Sequence, residues 1–264
     1  MRTYLRLAAA GFHRYSTYRM AIAAGVVTQS VFGFIRVSVL FAAIAAAGGE
    51  LAGYDQRQAS TYVWVGQALL APIALFGWTE LADRIKTGDV AVDLARPVDL
   101  QLSWWAADLG RAAFQLLTRG LAPLLIGALT IGFALPGSWT AYPLGVVSLV
   151  IAVSLSFVVR FGVNLVAFWT VDIRGFIGLY LVVVAPFSGL YVPVHLFPDW
   201  LRAIAYATPF PSLLQFPIDV LSGRVLGREA LLVIAMQVGW LVVSVAVTRW
   251  LMARAARRLV VQGG

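Results

Sequence analysis

Between two long apolar runs the chain carries Glu80-Leu-Ala-Asp-Arg-Ile-Lys-Thr-Gly-Asp-Val-Ala-Val-Asp-Leu-Ala-Arg-Pro-Val-Asp99. Arg84 and Lys86 come first, and Asp89, Asp93 and Asp99 follow. The apolar runs on either side are long enough to cross a bilayer, which takes about twenty helical residues for ~30 Å of hydrocarbon. Two readings of the charged stretch stand. It is a docking surface for a soluble partner, or a solvated loop whose charges keep it out of lipid. Its pattern predicts a short helix to Lys86, a turn at Gly88, and a second short element stopped by Arg96-Pro97. Ile85, Val90, Val92 and Leu94 are interleaved with the charges.

Composition supports a membrane protein. Hydrophobic residues make up 61% of the 264 residues and charged residues 12%; the mean hydropathy is +0.85. Soluble domains average roughly 45–50% apolar and 25% charged. The net charge of +8 does not indicate nucleic acid, because the basic residues sit at the ends of apolar runs rather than in one polar domain. Cysteine is absent, which excludes disulfides, zinc thiolates and thiol catalysis. His13 and His195 have no ligand spacing.

The hydropathy pattern predicts an all-α membrane protein of one domain, residues 1–264, with six transmembrane helices. The spans are expected at about 20–47, 61–79, 112–135, 142–169, 176–192 and 229–252. Residues 2–19 read as an N-terminal amphipathic helix in the inner interface, burying Leu5, Leu7 and Phe12. Its apolar core is too short for a signal peptide. Gln101 to Arg111, with Trp104 and Trp105, reads as an interfacial helix leading into the third span. The charged segment occupies 80–100. The fifth span is interrupted by Pro186, Gly189 and Pro193, and Pro198 follows. A helix interior tolerates proline at a cost of ~3 kcal/mol. The region 186–224 is therefore expected to break into short re-entrant or interfacial helices, or else to be a kinked span followed by an ordinary loop.

Arginine and lysine set the orientation. With a cytoplasmic N-terminus, the inner segments hold Arg2, Arg6, Arg14, Arg19, Arg84, Lys86, Arg96, Arg111, Arg174, Arg249, Arg254, Arg257 and Arg258. The outer segments hold only Arg57, Arg202, Arg224 and Arg228. This is a positive-inside bias, and it places both termini and the charged stretch in the cytoplasm.

Polar residues inside the spans form stripes. Gly25, Gln29, Gly33 and Arg36 share one face of the first span; Ser156, Arg160 and Asn164 recur at i+4 in the fourth. Gln67 and Arg119 add to them. An arginine at mid-span costs ~2.5–3.5 kcal/mol on insertion scales, so it must face protein or water. The stripes read either as a translocation path or as hydrogen bonds between packed helices, with Arg119 and Arg160 snorkelling to the headgroups.

Arg84-Ile-Lys-Thr-Gly-Asp-Val-Ala-Val-Asp-Leu-Ala-Arg-Pro-Val98 resembles the cytoplasmic loop of bacterial type-2 ATP-binding-cassette exporter permeases. The shared positions are Ile85, Gly88, Arg96 and Pro97. The layout is similar along the whole chain: an amphipathic start, six spans, and a fifth span broken by proline and glycine. The resemblance implies that the stretch is a coupling segment seated on a separate ATPase subunit. Asp83, Arg84, Lys86 and Asp89 would then be contacts and Ile85 the apolar anchor, with Asp172 and Arg174 a second, smaller contact. It also implies two copies of a cytosolic ATPase carrying ATP and magnesium, a second identical or related permease, and no cofactor on this chain. Pro186, Gly189, Pro193 and Pro198 would lie in an outer gate. The implied function is outward transport of an amphipathic or lipid-like compound across the bacterial cytoplasmic membrane.

The chain has no Gly-x-x-x-x-Gly-Lys-Ser/Thr run to cradle nucleotide phosphates and no Gly-x-Ser-x-Gly or His-Glu-x-x-His. Two rival functions remain open. An ion-driven carrier calls for midplane carboxylates and inverted repeats, and the sequence shows neither. A non-transporting membrane anchor for a cytosolic enzyme is the other.

Overall fold

The computed structural model describes residues 2–16, 19–76, 78–170, 172–255 and 257. Among them the regular structure is helical, apart from one isolated bridge between Leu51 and Tyr54. Thr17 and Tyr18 of the expected N-terminal helix, Gly77 of the expected second span, and Arg258 with the tail beyond it lie outside the described residues.

Helix α1 (Arg2–Ser16) does not simply lie on a lipid surface. Tyr4, Leu7, Ala8, Gly11, Phe12 and Tyr15 recur at i+3 and i+4 and turn inward, against α6 (Leu100–Gln115). The two backbones meet at glycines. A Cβ on Gly11 would overlap the Ala107 carbonyl, and one on Gly110 the Ala8 carbonyl. Phe12 packs edge-on against Phe114 with ring centres 5.2 Å apart. Leu5, expected to bury with Leu7 and Phe12, is exposed: it sits at the margin of the inward face, about a quarter turn round the helix from the Ala8–Gly11 contact.

Among the described residues, four helices are long and apolar enough to cross a membrane: Met20–Ala46, Leu100–Thr130, Ala141–Phe168 and Gly227–Ala255. They correspond to α2 (Arg19–Ala46), to α6 continued through a π-turn at Leu116–Gly120 into α7 (Leu121–Thr130), to α8 (Ala141–Leu165) and to α12 (Gly227–Ala255). The expected second and fifth spans are the shorter α3 (Gln56–Ile73) and α9 (Arg174–Phe187). The expected interfacial helix at 101–111 and the third span are one continuous helix. Its π-turn falls just before Pro123. Proline has no N–H for the Arg119 carbonyl and crowds it, and a wider turn relieves both faults. Trp104 and Trp105 are packed on protein. Trp104 meets Trp78 edge-on at 5.0 Å, and the Trp105 indole donates to Ser154 Oγ at 3.1 Å.

Local chemistry sets the helix ends. Asp55 starts α3 with a capping box: its carboxylate accepts from Gln58 N at 2.7 Å, and the Gln58 side chain accepts from Asp55 N at 3.0 Å. Asp99 starts α6 by accepting from Leu102 N at 2.8 Å. Its carboxylate also pairs with Arg249 of α12. Burial pushes Asp99 up, but Arg249 and the Leu102 N–H outweigh this and hold it below the usual carboxylate range.

Helix α8 is the axis of the bundle. At its N-terminal end Gly145 lies against Leu221 of α11 (Gln215–Leu221). At its C-terminal end Asn164 binds the charged stretch. Other contacts fall in with these ends. Arg224 donates to the carbonyls of Ala52 and Gly53, and Ser60 Oγ donates to the Gly132 carbonyl, so those turns share the α11 end. Arg14 pairs with Glu80 at 3.1 Å, so α1 shares the other end.

The broken region begins where α9 stops at Phe187. Gly189 turns the chain with φ of 84°; Tyr62 Oη donates to its carbonyl at 2.6 Å and to Gln215 Oε1 at 2.8 Å. Pro193 precedes a 3-10 turn at Val194–Leu196, and Pro198 precedes α10 (Asp199–Tyr206). Pro186 lies in the last turn of α9. Every residue from 211 to 220 is buried. The four expected gate residues therefore end or begin elements.

Candidate functional site

The charged stretch folds as α4 (Glu80–Thr87), a left-handed turn at Gly88 with φ of 83°, and α5 (Val90–Leu94). Arg96 and Pro97 lie in the exposed turn that follows. Leu81, Val90, Leu100, Phe157, Phe161 and Leu165 form a small core under the stretch. Fully burying Leu81 and Val90 contributes about 1.5–3 kcal/mol each. The Asn164 amide joins the stretch to α8. Its oxygen accepts from Ala82 N at 3.0 Å, and its nitrogen donates to the Trp78 carbonyl at 2.7 Å and the Arg160 carbonyl at 2.8 Å.

The expected contacts divide. Asp83, Lys86, Gly88 and Asp89 are exposed. Arg84 is engaged within the stretch: its Nε donates to the buried Asp93 carboxylate at 2.6 Å, and Arg96 reaches the same carboxylate at 3.5 Å. The Asp93 hydrogen bond holds the Arg84 guanidinium above its ordinary pKa. Ile85, expected as the outward anchor, packs inward on the small core. The large apolar side chains on display are Val92 and Leu94. Asp172 and Arg174 pair with each other at 2.6 Å. The Arg174 hydrogen bond, helped by its backbone N–H and by nearby Lys86, draws Asp172 down to about 2. That turn therefore adjoins the charged stretch.

A cavity of about 790 Å³ runs between α1, α2, α3, α6 and α8. It brings together Gln29, Arg36, Gln67 and Arg160 of the expected path, together with Arg119. Ser156 and Asn164 do not line it. Gln29 donates to the Gln67 carbonyl at 2.8 Å and accepts from Arg119 Nε at 3.3 Å. The Arg119 guanidinium lies over Gly25, where a Cβ would overlap it.

Asp108 and Arg111 do most to organise this wall, and neither was among the expected path residues. Arg111 bonds the Asp108 carboxylate at 2.7 Å and donates to the last carbonyls of α3, Ala71 and Pro72, at 3.0 and 2.8 Å. These orphan carbonyls at a helix C-terminus attract a cation. Arg160 reaches the same carboxylate at 3.1 Å, and its Nε donates to Ser156 at 3.3 Å. Arg160 is thus paired inside the protein and does not snorkel. Asp108 lies within the Leu100–Thr130 helix, so a carboxylate does enter an apolar span, although in its first third. Its i,i+3 spacing from Arg111 is the signal in the sequence, hidden by reading the two tryptophans as interfacial.

His195, without a partner in sequence, meets Asp219 at 2.8 Å and Tyr206 at 3.4 Å. Ser188 donates to the Ala185 carbonyl, so it forms no nucleophile–base pair with that histidine.

The outward faces of the long helices carry Val27, Val31, Ile35, Leu125, Val242 and Val243 exposed. Apolar surface of this extent along helices of this length is stable only in hydrocarbon, so the chain is a multi-pass helical membrane protein. It belongs to the ABC-2 family: the family described as ABC-2 family transporter protein matches residues 30–263. The chain is therefore a transmembrane permease of an ATP-binding-cassette transporter, a kind of subunit that works with a separate ATP-hydrolysing subunit. No curated protein sequence matches the chain.

Proposed function

We propose that the chain is the permease subunit of an ATP-driven exporter in the bacterial cytoplasmic membrane, and that α4 and α5 are its coupling segment. The observation that carries this reading is the joint of that segment to the bundle. It shows Lys86, Asp83, Asp89, Val92 and Leu94 to solvent while Asn164 fixes it to the end of α8. A push on such an element moves α8 rather than a slack loop.

Six crossings, with α3 and α9 as the shorter ones, account for the two ends of the bundle. The turns near 52, 132 and 224 share one end and α1 and α4 the other, and the basic residues concentrate at the α4 end. In this reading the α4 end and both termini are cytoplasmic, α10 and α11 form an outer gate, two ATPase copies supply ATP and magnesium, and a second permease copy completes the path. ATP binding drives the exchange of inward and outward states through differential affinity for them.

The test uses the chain expressed with its neighbouring ATPase gene. Because Arg84 holds Asp93, the informative variant is Lys86→Glu with Val92→Asp. It is expected to insert normally but to lose co-purification of the ATPase or the stimulation of vanadate-sensitive hydrolysis by transported compounds. A double variant with full stimulation would sink the coupling role.

A further inference from the structure

The charges lining the cavity do not balance. Among the described residues, Arg14, Arg36, Arg111, Arg119 and Arg160 face it, against Glu80 and Asp108. Glu80 pairs with Arg14, and Asp108 with Arg111 and Arg160. Arg119 has the neutral Gln29 oxygen. Arg36 is the sharper case: its Nε and Nη1 are buried and have no hydrogen-bond partner among the described residues. A buried guanidinium in that state is costly unless an anion answers it.

A second copy of this chain has little to offer. Asp108 aside, the carboxylate found in a candidate span is Glu229, in the first turn of α12. Asp219 is held by His195 and Gln215. Much of the remaining cavity wall is apolar and aromatic, with Phe32, Leu70, Phe76, Trp104, Phe157 and Leu190, alongside the neutral polar Thr28, Gln67 and Gln115. The volume suits a small organic ligand.

We propose that this cavity binds an amphiphile with an anionic head, a phosphate, sulfate or carboxylate on an apolar tail. Arg36 bonds the head, Arg119 adds charge about two helical turns away along α2 through its contact with Gln29, and the aromatic wall takes the tail. This rests on the permease reading in that the cavity is then the place of the transported molecule. Binding itself is measured on the chain alone.

The full chain in phosphatidylcholine nanodiscs is titrated with dodecyl phosphate, dodecyltrimethylammonium and inorganic phosphate. Emission from Trp78 and Trp104, which line the cavity, and thermal midpoint are the readouts. Dodecyl phosphate is expected to bind at least about tenfold more tightly than the cationic amphiphile, and Arg36→Gln to lose about tenfold or more of that affinity. Arg36→Lys, which keeps the charge, retains most of it. Equal binding of the two amphiphiles overturns the proposal, and so does an Arg36→Gln variant that binds like the parent. Inorganic phosphate displacing dodecyl phosphate at comparable concentration also overturns it, since the site then takes a bare ion.

Repeating the titration in phosphatidylglycerol separates the sources. Blocked binding there, with phosphatidylglycerol carried through purification by the parent and not by Arg36→Gln, makes a bilayer lipid the occupant. Undiminished binding makes it a compound from solution. Either result upholds an anionic amphiphile. Failure of the ATPase to associate removes the permease assembly and leaves this binding untouched; failed binding with intact coupling removes only the anion site.

Discussion

Asn164 uses both ends of its amide on neighbouring elements, and its position is where chemistry and architecture meet. An i+4 stripe with Ser156 and Arg160 suggests a path-lining residue, yet the side chain bonds Ala82 N and the Trp78 carbonyl. Truncation to alanine leaves both backbone groups without their partner, at a cost of about 1–3 kcal/mol. Asn164→Ala is expected to lower the thermal midpoint and to speed trypsin cleavage at Arg84 and Lys86 by on the order of tenfold, the ratio that ~1.4 kcal/mol of local opening gives. Unchanged cleavage would mean that the small core alone seats the stretch. Arg84 makes the same point in the opposite sense. Read from sequence it is free for a partner; in the fold it closes on Asp93 at 2.6 Å.

Among the elements, α1 is the one whose setting was least expected. Amphipathic periodicity marks it as a helix with one apolar face, and both a lipid surface and a protein groove satisfy that pattern. The glycines show that this face meets protein. Gly11 and Gly110 let the α1 and α6 backbones approach so closely that a methyl group on either would overlap a carbonyl of the other. Gly110→Ala is expected to cost about 1–3 kcal/mol by overpacking and to accelerate hydrogen exchange across residues 2–16. Gly178→Ala is the control, because nothing lies within 4 Å of a Cβ there; in the middle of α9 it is expected to be neutral or stabilising by about 0.5–1 kcal/mol. Equal destabilisation by both would remove the close-crossing explanation.

For the whole molecule the decisive relation is that the charged stretch and the broken region sit at opposite ends of α8. Native cysteines are absent, so single cysteines report their side of the membrane without background. Val92 and the Asp199 side chain are both exposed. Val92→Cys is expected to react with an impermeant maleimide only in inside-out vesicles, and Asp199→Cys only in right-side-out ones. Reaction of both from one side would contradict the six-crossing topology, and reaction of Val92→Cys only in right-side-out vesicles would place the stretch away from any cytosolic ATPase.

Membrane class, the apolar runs, the basic bias and the helix–turn–helix shape of residues 80–94 were determined by sequence alone. Each depends on composition, on period or on one turn-forming glycine, and these are local quantities. Tertiary structure decided what those pieces do to one another. It turned Ile85 inward and left Val92 and Leu94 outside, joined the expected interfacial helix to the third span, and drew Asp108, Arg111 and Arg160 into one buried cluster. It also left Arg36 as the guanidinium in the cavity without a bonding partner among the described residues. The reason is physical: the sign of a charge is fixed by its residue type, but whether it is neutralised depends on side chains that are distant in the chain and near in space.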